Sequence, residues 1–443
     1  MRFNCYDLAY AIGLSAAAPV WLVRPTARRK VLGALRHRMA RGLPPCTDPS
    51  PSVLIHAVSV GEVNAVPALI AALRRRRGDL RFYVTTTTQT GGERARQLFA
   101  DGSATTLPWP LDFTPSVRRL LEATRPSAVV LMELEVWPNF ALQCARRDIP
   151  LIVANGRVTE PAMHRYRWAG PVGRRMFARL SAAGVQDHTY ADRFVRLGVP
   201  RDRIAVLGTM KFDAATLADR VTGDTELAST VGLRPGSEPI WVCGSTGPGE
   251  ESIVLEAYRA LRARHPGLRL VIVPRHPPRF DEAAALVRAA GFAVLRRSTP
   301  GVVSGASGAP VVILGDTLGE LRKFYSLADV VFVGRSLVDL GPRQHGSDMI
   351  EPAALGKPVV VGPFTGNFDM PMRLLRSADA AVEVPTGDPG GLAGAVDRLL
   401  GDPESARAMG RRAQGVVRAA QGSTDRHAEL IDRHLPQRSP PRG

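Results

Sequence analysis

The sequence predicts an α/β protein built as two halves, each a parallel sheet covered on both faces by helices. Three observations carry this. The 443 residues exceed one ordinary domain of about 100–200 residues, so two domains are expected. From Val53 onward, short runs rich in β-branched residues alternate with amphipathic stretches. Near-continuous apolar strands alternating with helices mark parallel sheets buried on both faces. The series also occurs twice, separated by a stretch rich in polar, Gly and Pro residues between Ala214 and Pro239.

The elements follow in order. Leu8 to Val23 is an apolar run, followed by Arg24, Arg28, Arg29, Lys30, Arg36, Arg38 and Arg41. It is short of the ~20 residues that a spanning helix needs, contains Ser15 and Pro19, and places Trp21 where an interfacial anchor would sit. A signal-anchor with its basic flank on the cytoplasmic side, or an interfacial helix beside anionic lipid, is expected over a buried first helix. Pro44 to Pro51 is a linker.

The first half offers strands at Val53–Val58, Arg81–Thr85, Ala128–Met132, Leu151–Ala154, Ala183–Val185 and Ile204–Leu207. Its helical patterns are Val63–Arg77, Gly92–Ala100, Thr114–Glu122, Phe140–Arg147 and Tyr190–Leu197. The second half offers Ile240–Cys243, Leu268–Val273, Ala293–Leu295, Val311–Leu314, Val330–Val333, Pro358–Val361 and Ala381–Val384. The expected divisions are residues 1–47 (anchor and basic flank), 48–215 (first domain), 216–236 (linker), 237–400 (second domain) and 401–443 (C-terminal helix and tail).

The net charge of +17 points to anionic partners: nucleic acid, an anionic membrane or a phosphorylated substrate. It does not rank them. The lysines are only Lys30, Lys211, Lys323 and Lys357, so each is informative. Cys5, Cys46, Cys144 and Cys243 show no CxxC spacing, which argues against a zinc site and a disulfide framework.

Chemistry-bearing residues cluster at strand ends, where ligands bind in open α/β sheets. HAVSVGEV ends a strand at Ser59, Gly61 and Glu62. Glu62 at a helix start either accepts a proton from a substrate hydroxyl or only stabilises the helix. TTTTQTGGE offers N–H groups to a phosphate or sugar, or a plain Thr cap. MELEVWPNF places Glu133 and Glu135 after a strand, on one face if the strand continues that far. GTMKFD places Lys211 where it can stabilise negative charge.

In the second half, GSTGPGEE from Gly244 is a strand-to-helix turn suited to an anion, without the Lys-Ser/Thr ending of a P-loop. VPRHPPRF supplies Arg275 and His276, GDTLGE supplies backbone N–H groups, and Glu351 opens a helix. Capping and ordinary loop chemistry would explain each segment singly; their shared position at the mouth of one sheet points to a ligand site.

Taken in order, HAVSVGE, TTTTQTG, MELEVWPN, VANGRVTE, GTMKFD, PRHPPRF, DTLGE, GRSLV and EPAALGKPVVVGP resemble the 3-deoxy-D-manno-octulosonic acid (Kdo) transferases over nearly the whole chain. The resemblance implies a GT-B glycosyltransferase, two Rossmann-like domains facing a cleft. It implies inverting transfer of Kdo from CMP-Kdo to the lipid A precursor lipid IVA in lipopolysaccharide synthesis. The expected location is the cell inner membrane, with the catalytic domains on the cytoplasmic side. By matching position, Glu62 would be the general base, and Glu133 (less favoured, Glu135) and Lys211 would support the transition state. Pro274, Arg275, Leu318, Gly319, Glu320, Asp348, Met349, Ile350 and Glu351 would bind CMP. No metal and no cofactor are implied.

The donor side departs from the family pattern. Gly334-Arg335 stands for the usual Gly-Gly, Asp348 for an asparagine, and GSTGPGEE lacks a histidine. The stretch from Val338 to Glu351 is longer than usual, with Arg335, Arg343 and His345 as replacement anion contacts. Another GT-B enzyme using a UDP- or GDP-sugar is therefore the alternative. A basic nucleic-acid-binding protein comes last, because no aromatic-interleaved basic motif or helix-turn-helix is present.

Overall fold

The structure, a computed structural model, describes residues 4–22, 33, 38–43, 46–305, 308–341 and 344–437. Arg24, Arg28, Arg29, Lys30, Arg36 and Arg343, the Trp21 side chain and most of the QRSPPRG tail lie outside the described residues. The described chain forms two compact units, one up to Ala214 together with the residues from Gly422, the other from Ala215 to Gln421.

The first unit holds a seven-stranded parallel sheet in the order β3-β2-β1-β4-β5-β6-β7. Its strands are β1 (Ser52–His56), β2 (Arg81–Thr86), β3 (Thr105–Pro108), β4 (Ala128–Met132), β5 (Leu151–Gly156), β6 (Ala182–Val185) and β7 (Ile204–Val206). The order reverses between β1 and β4, and that switch point is where open α/β sheets bind ligands. Strand alternation divides the core. Leu54, Val129 and Leu131 pack with Trp109 and Phe140 on one face. Val53, Ile55, Val130 and Met132 pack with Val63, Val66 and Leu69 on the other.

The sequence missed β3 because TTLP lacks the apolar run that marks a buried strand; it lies on the sheet edge, where Thr and Pro are tolerated. It also placed the end of β1 two residues late. Ser59 caps the helix Val60–Arg76, so the chain must leave the sheet after His56. The helices Glu160–Trp168 and Gly170–Phe177 were not expected either.

The second unit holds β8 (Ile240–Thr246), β9 (Arg269–Pro274), β10 (Ala293–Arg296), β11 (Val303–Ser304), β12 (Val311–Leu314), β13 (Val330–Val333), β14 (Val359–Val361) and β15 (Ala381–Glu383). Their order is β11-β10-β12-β9-β8-β13-β14-β15, and only the two-residue edge strand β11 is antiparallel. The switch point falls between β8 and β13. Trp241, Leu270, Val312, Phe332 and Val360 pack into one helix-covered core.

The C-terminal segment is divided between the units. The helix Pro403–Ala420 stays with the second, whereas Ser423–Asp432 packs on the first, where Ala428 and Ile431 join the Val53 side of the core. The Asp213 carboxylate fixes this return by accepting from the Gly422 N–H at 2.6 Å and the Thr424 N–H at 2.5 Å.

The apolar N-terminal run is helical from Cys5 to Leu22. No helix among the described residues is long and apolar enough to cross a membrane. The first turn of this helix is tied to the first unit by polar contacts. Buried Asp7 accepts from the Thr114 N–H at 2.8 Å and from Asn139 Nδ2 at 3.2 Å, and Asn4 Nδ2 donates to Asn139 Oδ1 at 2.7 Å. Leu8 and Ile12, one turn apart, remain 63% and 61% exposed.

Candidate active site

In the first unit the site is built around the ends of β1 and β4. Ser59 caps the following helix through its hydroxyl. Glu62 answers it: Oε1 accepts from Ser59 Oγ at 2.8 Å and Oε2 from the Val58 N–H at 2.9 Å. This is the reciprocal logic of a capping box, reaching one residue further back. Behind it, His56 is fully buried and stacked on Trp109 with centroids 3.7 Å apart. Burial holds the His56 ring well below its ordinary pKa, at about 3, so it is neutral packing rather than a proton carrier. Thr88 Oγ1 donates to the Val58 carbonyl at 2.7 Å and accepts from the Gly91 N–H at 3.1 Å. The TTTTQTGG segment thus takes the plain Thr cap and braces the Glu62 loop.

Glu62 does not stay an ordinary carboxylate. Burial, then the Glu133 charge, push its pKa up to about 7, against the hydrogen bonds from Val58 and Ser59. The strand alternation expected to align Glu133 and Glu135 does not operate, because β4 stops at Met132. Glu133 instead takes φ 58°, its N–H donating to the Ala154 carbonyl at 2.9 Å. That left-handed turn delivers it towards Glu62. Left-handed backbone at a residue with a Cβ is unfavourable and concentrates at functional sites.

Glu62, Glu133 and Glu135 line one cavity of about 170 Å³ together with Leu134, Arg157 and Arg165. Glu135 also accepts from Trp137 Nε1 at 3.0 Å. Lys211 is not in this wall. It lies on the short helical turn Met210–Ala214, which packs against the helix that Glu62 opens. Asn155 Oδ1 accepts from the Met210 N–H of that turn at 3.1 Å. Sequence reasoning passed over Arg157 and Arg165. Arg157 follows β5 as Glu133 follows β4, so asking which charged residues succeed each strand would have found it.

The second unit presents a different chemistry at its strand ends. β8 runs to Thr246, further than expected, so Gly244 lies inside the strand rather than in an anion-binding turn. A Cβ there would meet the Tyr325 hydroxyl at 2.2 Å, which is why only glycine fits. The turn beyond it is filled by its own carboxylates. Glu250, fully buried, accepts from the N–H groups of Gly247, Arg335, Ser336 and Leu337 at 2.6–2.8 Å. Buried Glu251 takes Thr246 Oγ1 at 2.7 Å and a two-pronged contact from Arg279 at 2.7 and 3.0 Å. GSTGPGEE thus closes on itself at Gly247 and commits its two glutamates to holding the loop after β13 and Arg279.

Arg275 is left exposed where β9 ends, directly after buried Pro274. Glu351 lies near it: burial, then Asp348, push its carboxyl up to about 7, while Arg322 and Arg275 oppose the rise. Asp348 accepts from the Ile350 N–H at 2.9 Å. Met349 and Ile350 are fully buried, so their side chains serve the core and are not available to a ligand. Leu318 is 77% exposed and Gly319, at φ 82°, shapes the turn beside it. Glu320 is committed internally. Burial would raise its pKa, but Thr317 Oγ1 at 2.5 Å and the Arg297 Nε at 3.1 Å hold it below the usual carboxylate range. His345 pairs with Asp339 at 2.7 Å rather than standing ready for an anion. Among the described residues no group of His, Cys, Asp and Glu gathers that could hold a metal ion.

Two Rossmann-like units with charged groups at their switch points give the chain the GT-B fold. Solved structures agree in fold. A glycosyltransferase from Rickettsia africae is similar at 10% identity and TM-score 0.57, over 87% of this chain and 98% of that one. The Anabaena protein HepE in complex with UDP is similar at 13% identity and TM-score 0.59, over 86% and 100%. The sequence is more specific. The family model of the 3-deoxy-D-manno-octulosonic-acid transferases (kdotransferases) matches residues 33–214. The 3-deoxy-D-manno-octulosonic acid transferase of Haemophilus influenzae is 35% identical over 388 residues, covering 87% of this chain and 88% of its own. That of Bordetella pertussis is 33% identical over 441 residues, covering 96% and 98%. The chain belongs to the Kdo transferase family.

Proposed function

We propose that this enzyme transfers Kdo from CMP-Kdo to a hydroxyl of the lipid A precursor lipid IVA with inversion, using Glu62 as general base. The observation that carries the reading is the Glu62 carboxyl, half-buried beside Glu133, with its pKa raised to about 7. A base poised near the working pH is the efficient acceptor of a hydroxyl proton. As the acceptor oxygen bonds to the anomeric carbon, its proton passes to Glu62 and the bond to the phosphate oxygen breaks, so CMP leaves with the electron pair. Glu133 raises the basicity of Glu62 by like-charge repulsion. Lys211 and the arginines Arg157 and Arg165 supply positive charge for an acceptor that carries phosphate. In the second unit, Arg275 meets the nucleotide phosphate, and Glu351 accepts ribose hydroxyls.

We also place the enzyme at the cytoplasmic face of the inner membrane. Leu8, Ile12, Trp168 and Val172 are exposed apolar side chains, and the helix Gly170–Phe177 carries exposed Arg174 and Arg175. Apolar groups beside cations suit an anionic bilayer surface. The deciding experiment is mass spectrometry of the lipid formed when purified enzyme meets CMP-Kdo and tetraacylated lipid A precursor. A mass increase of one or more Kdo units, with CMP release, supports the reading. No product and no CMP overturns it, and a clear preference for UDP or GDP over CMP in a thermal-shift panel favours a different donor.

A further inference from the structure

At the end of β13 no side chain can stand at Gly334, because a Cβ there would lie 2.6 Å from the Thr246 Cα. The next residue, Arg335, has φ 58°, a region in which a Cβ crowds the backbone and glycine is the default. The loop imposes it. The Glu250 carboxylate holds the N–H groups of Arg335, Ser336 and Leu337 at 2.6, 2.8 and 2.8 Å. A glycine would satisfy that backbone without strain, yet the chain carries an arginine.

The arginine side chain is also electrostatically out of place. Its Cγ lies over Gly247. The guanidinium's hydrogen bond among the described residues is a 3.3 Å contact from Nη2 to Gln344 Oε1. Burial and the neighbouring Arg275 charge both work against its protonated form, and only Glu250 favours it. That carboxylate is already filled by four backbone N–H groups. His276 reports the same field: burial, then Arg335, Arg275 and Arg279, hold it below its ordinary range. Of these cations Arg279 is satisfied by Glu251 and Glu282. Arg275 and Arg335 are left as like charges flanking β8, one after β9 and one after β13, at the switch point of the sheet. A like-charge pair held together is relieved by an anion bridging it, and strained backbone of this kind concentrates at ligand sites.

We propose that Arg335 pairs with Arg275 to clamp the phosphate of the nucleotide-sugar donor, making Arg335 a donor-binding residue. This rests on the donor assignment above. The test is calorimetric titration of CMP into the full-length protein and its Arg335→Gly and Arg335→Lys variants, followed by donor kinetics. Losing a charge-assisted contact weakens CMP binding by about 10- to 100-fold in the glycine variant, and lysine restores part of it. The unliganded thermal midpoint of Arg335→Gly stays at or above wild type, because glycine suits the left-handed backbone. Should that variant lose stability, Arg335→Gln keeps the stem over Gly247 and removes only the charge.

Unchanged CMP affinity in the uncharged variants overturns the proposal. Unchanged CMP affinity with a raised KM for CMP-Kdo also overturns it, placing the arginine on the sugar carboxylate instead. If wild type prefers UDP or GDP to CMP, the donor reading falls, and the same variants titrated with that nucleotide judge the arginine separately.

Discussion

The two units share one architecture and partner the carboxylates at their strand ends differently. At the strand ends of the first, Glu62, Glu133 and Glu135 line one cavity, and Glu62 is left with its ionised form disfavoured. At the strand ends of the second, Glu250, Glu251 and Glu320 are consumed by backbone N–H groups, Arg279 and Arg297. What remains available there is Arg275 and Arg335, together with Glu351, whose carboxyl lies near Arg275 with its pKa raised by burial to about 7. On the proposed reading, the same scaffold serves as a proton acceptor in one half and an anion holder in the other. The difference lies in how each carboxylate is partnered: four N–H groups for Glu250 and an arginine fork for Glu251, against two hydrogen bonds and a like charge for Glu62.

The largest expected break in this comparison is Glu62→Gln. It keeps the side-chain shape and removes the proposed base, so kcat is expected to fall by about 10²–10⁴ while CMP affinity, which the proposal assigns to the other unit, stays unchanged. Retained turnover would remove Glu62 from the chemistry. Next comes Arg279→Ala, which strips the partner from a fully buried Glu251. Breaking a buried pair costs about 3–5 kcal/mol, read as a lower urea midpoint. A neutral result would mean that Glu251 is not held as an ion.

The third sharpens the electrostatics. The kcat/KM profile is expected to rise with pH through an apparent pKa near 7 in wild type, and Glu133→Gln to move that limb to lower pH by removing the like charge. A limb unmoved by Glu133→Gln would show that the two carboxylates are not coupled. Stability has the opposite sign. A carboxyl whose folded pKa is raised binds more protons folded than unfolded, so its contribution falls as pH climbs from about 4.5 to above 7. Glu62→Gln is therefore expected to gain thermal stability relative to wild type at pH 8 and to lose that advantage near pH 4, measured as paired melting curves. The smallest effect is Thr88→Ala, which removes a helix cap and the brace on Val58. It costs about 1 kcal/mol, checked by denaturant titration.

Much of this was legible in the sequence because parallel strands buried on both faces announce themselves. VVLM, WVC and VVFV contain no polar residue to confuse the reading. Edge strands such as TTLP were not legible, since exposure removes the apolar signal. Glu62 could be singled out because Ser59, Gly61 and Glu62 form a turn-and-cap signature beside a strand. The pairing of Glu62 with Glu133 could not, because it depends on a left-handed residue after β4 and on the adjacency of two strands separated by 71 residues of chain.

The sequence by itself determined the α/β class, the two series of strands, the family and the residues worth asking about. Composition, periodicity and motif order are local properties, readable without knowing what touches what. Tertiary structure alone decided which charges are spent and which are available. Glu250 and Glu62 both open helices after strands and burial raises the pKa of both, yet Glu250 is filled by four N–H groups while Glu62 accepts two hydrogen bonds and lines a cavity beside Glu133. That outcome is set by solvent exclusion and by neighbours distant in the chain, which no local pattern encodes.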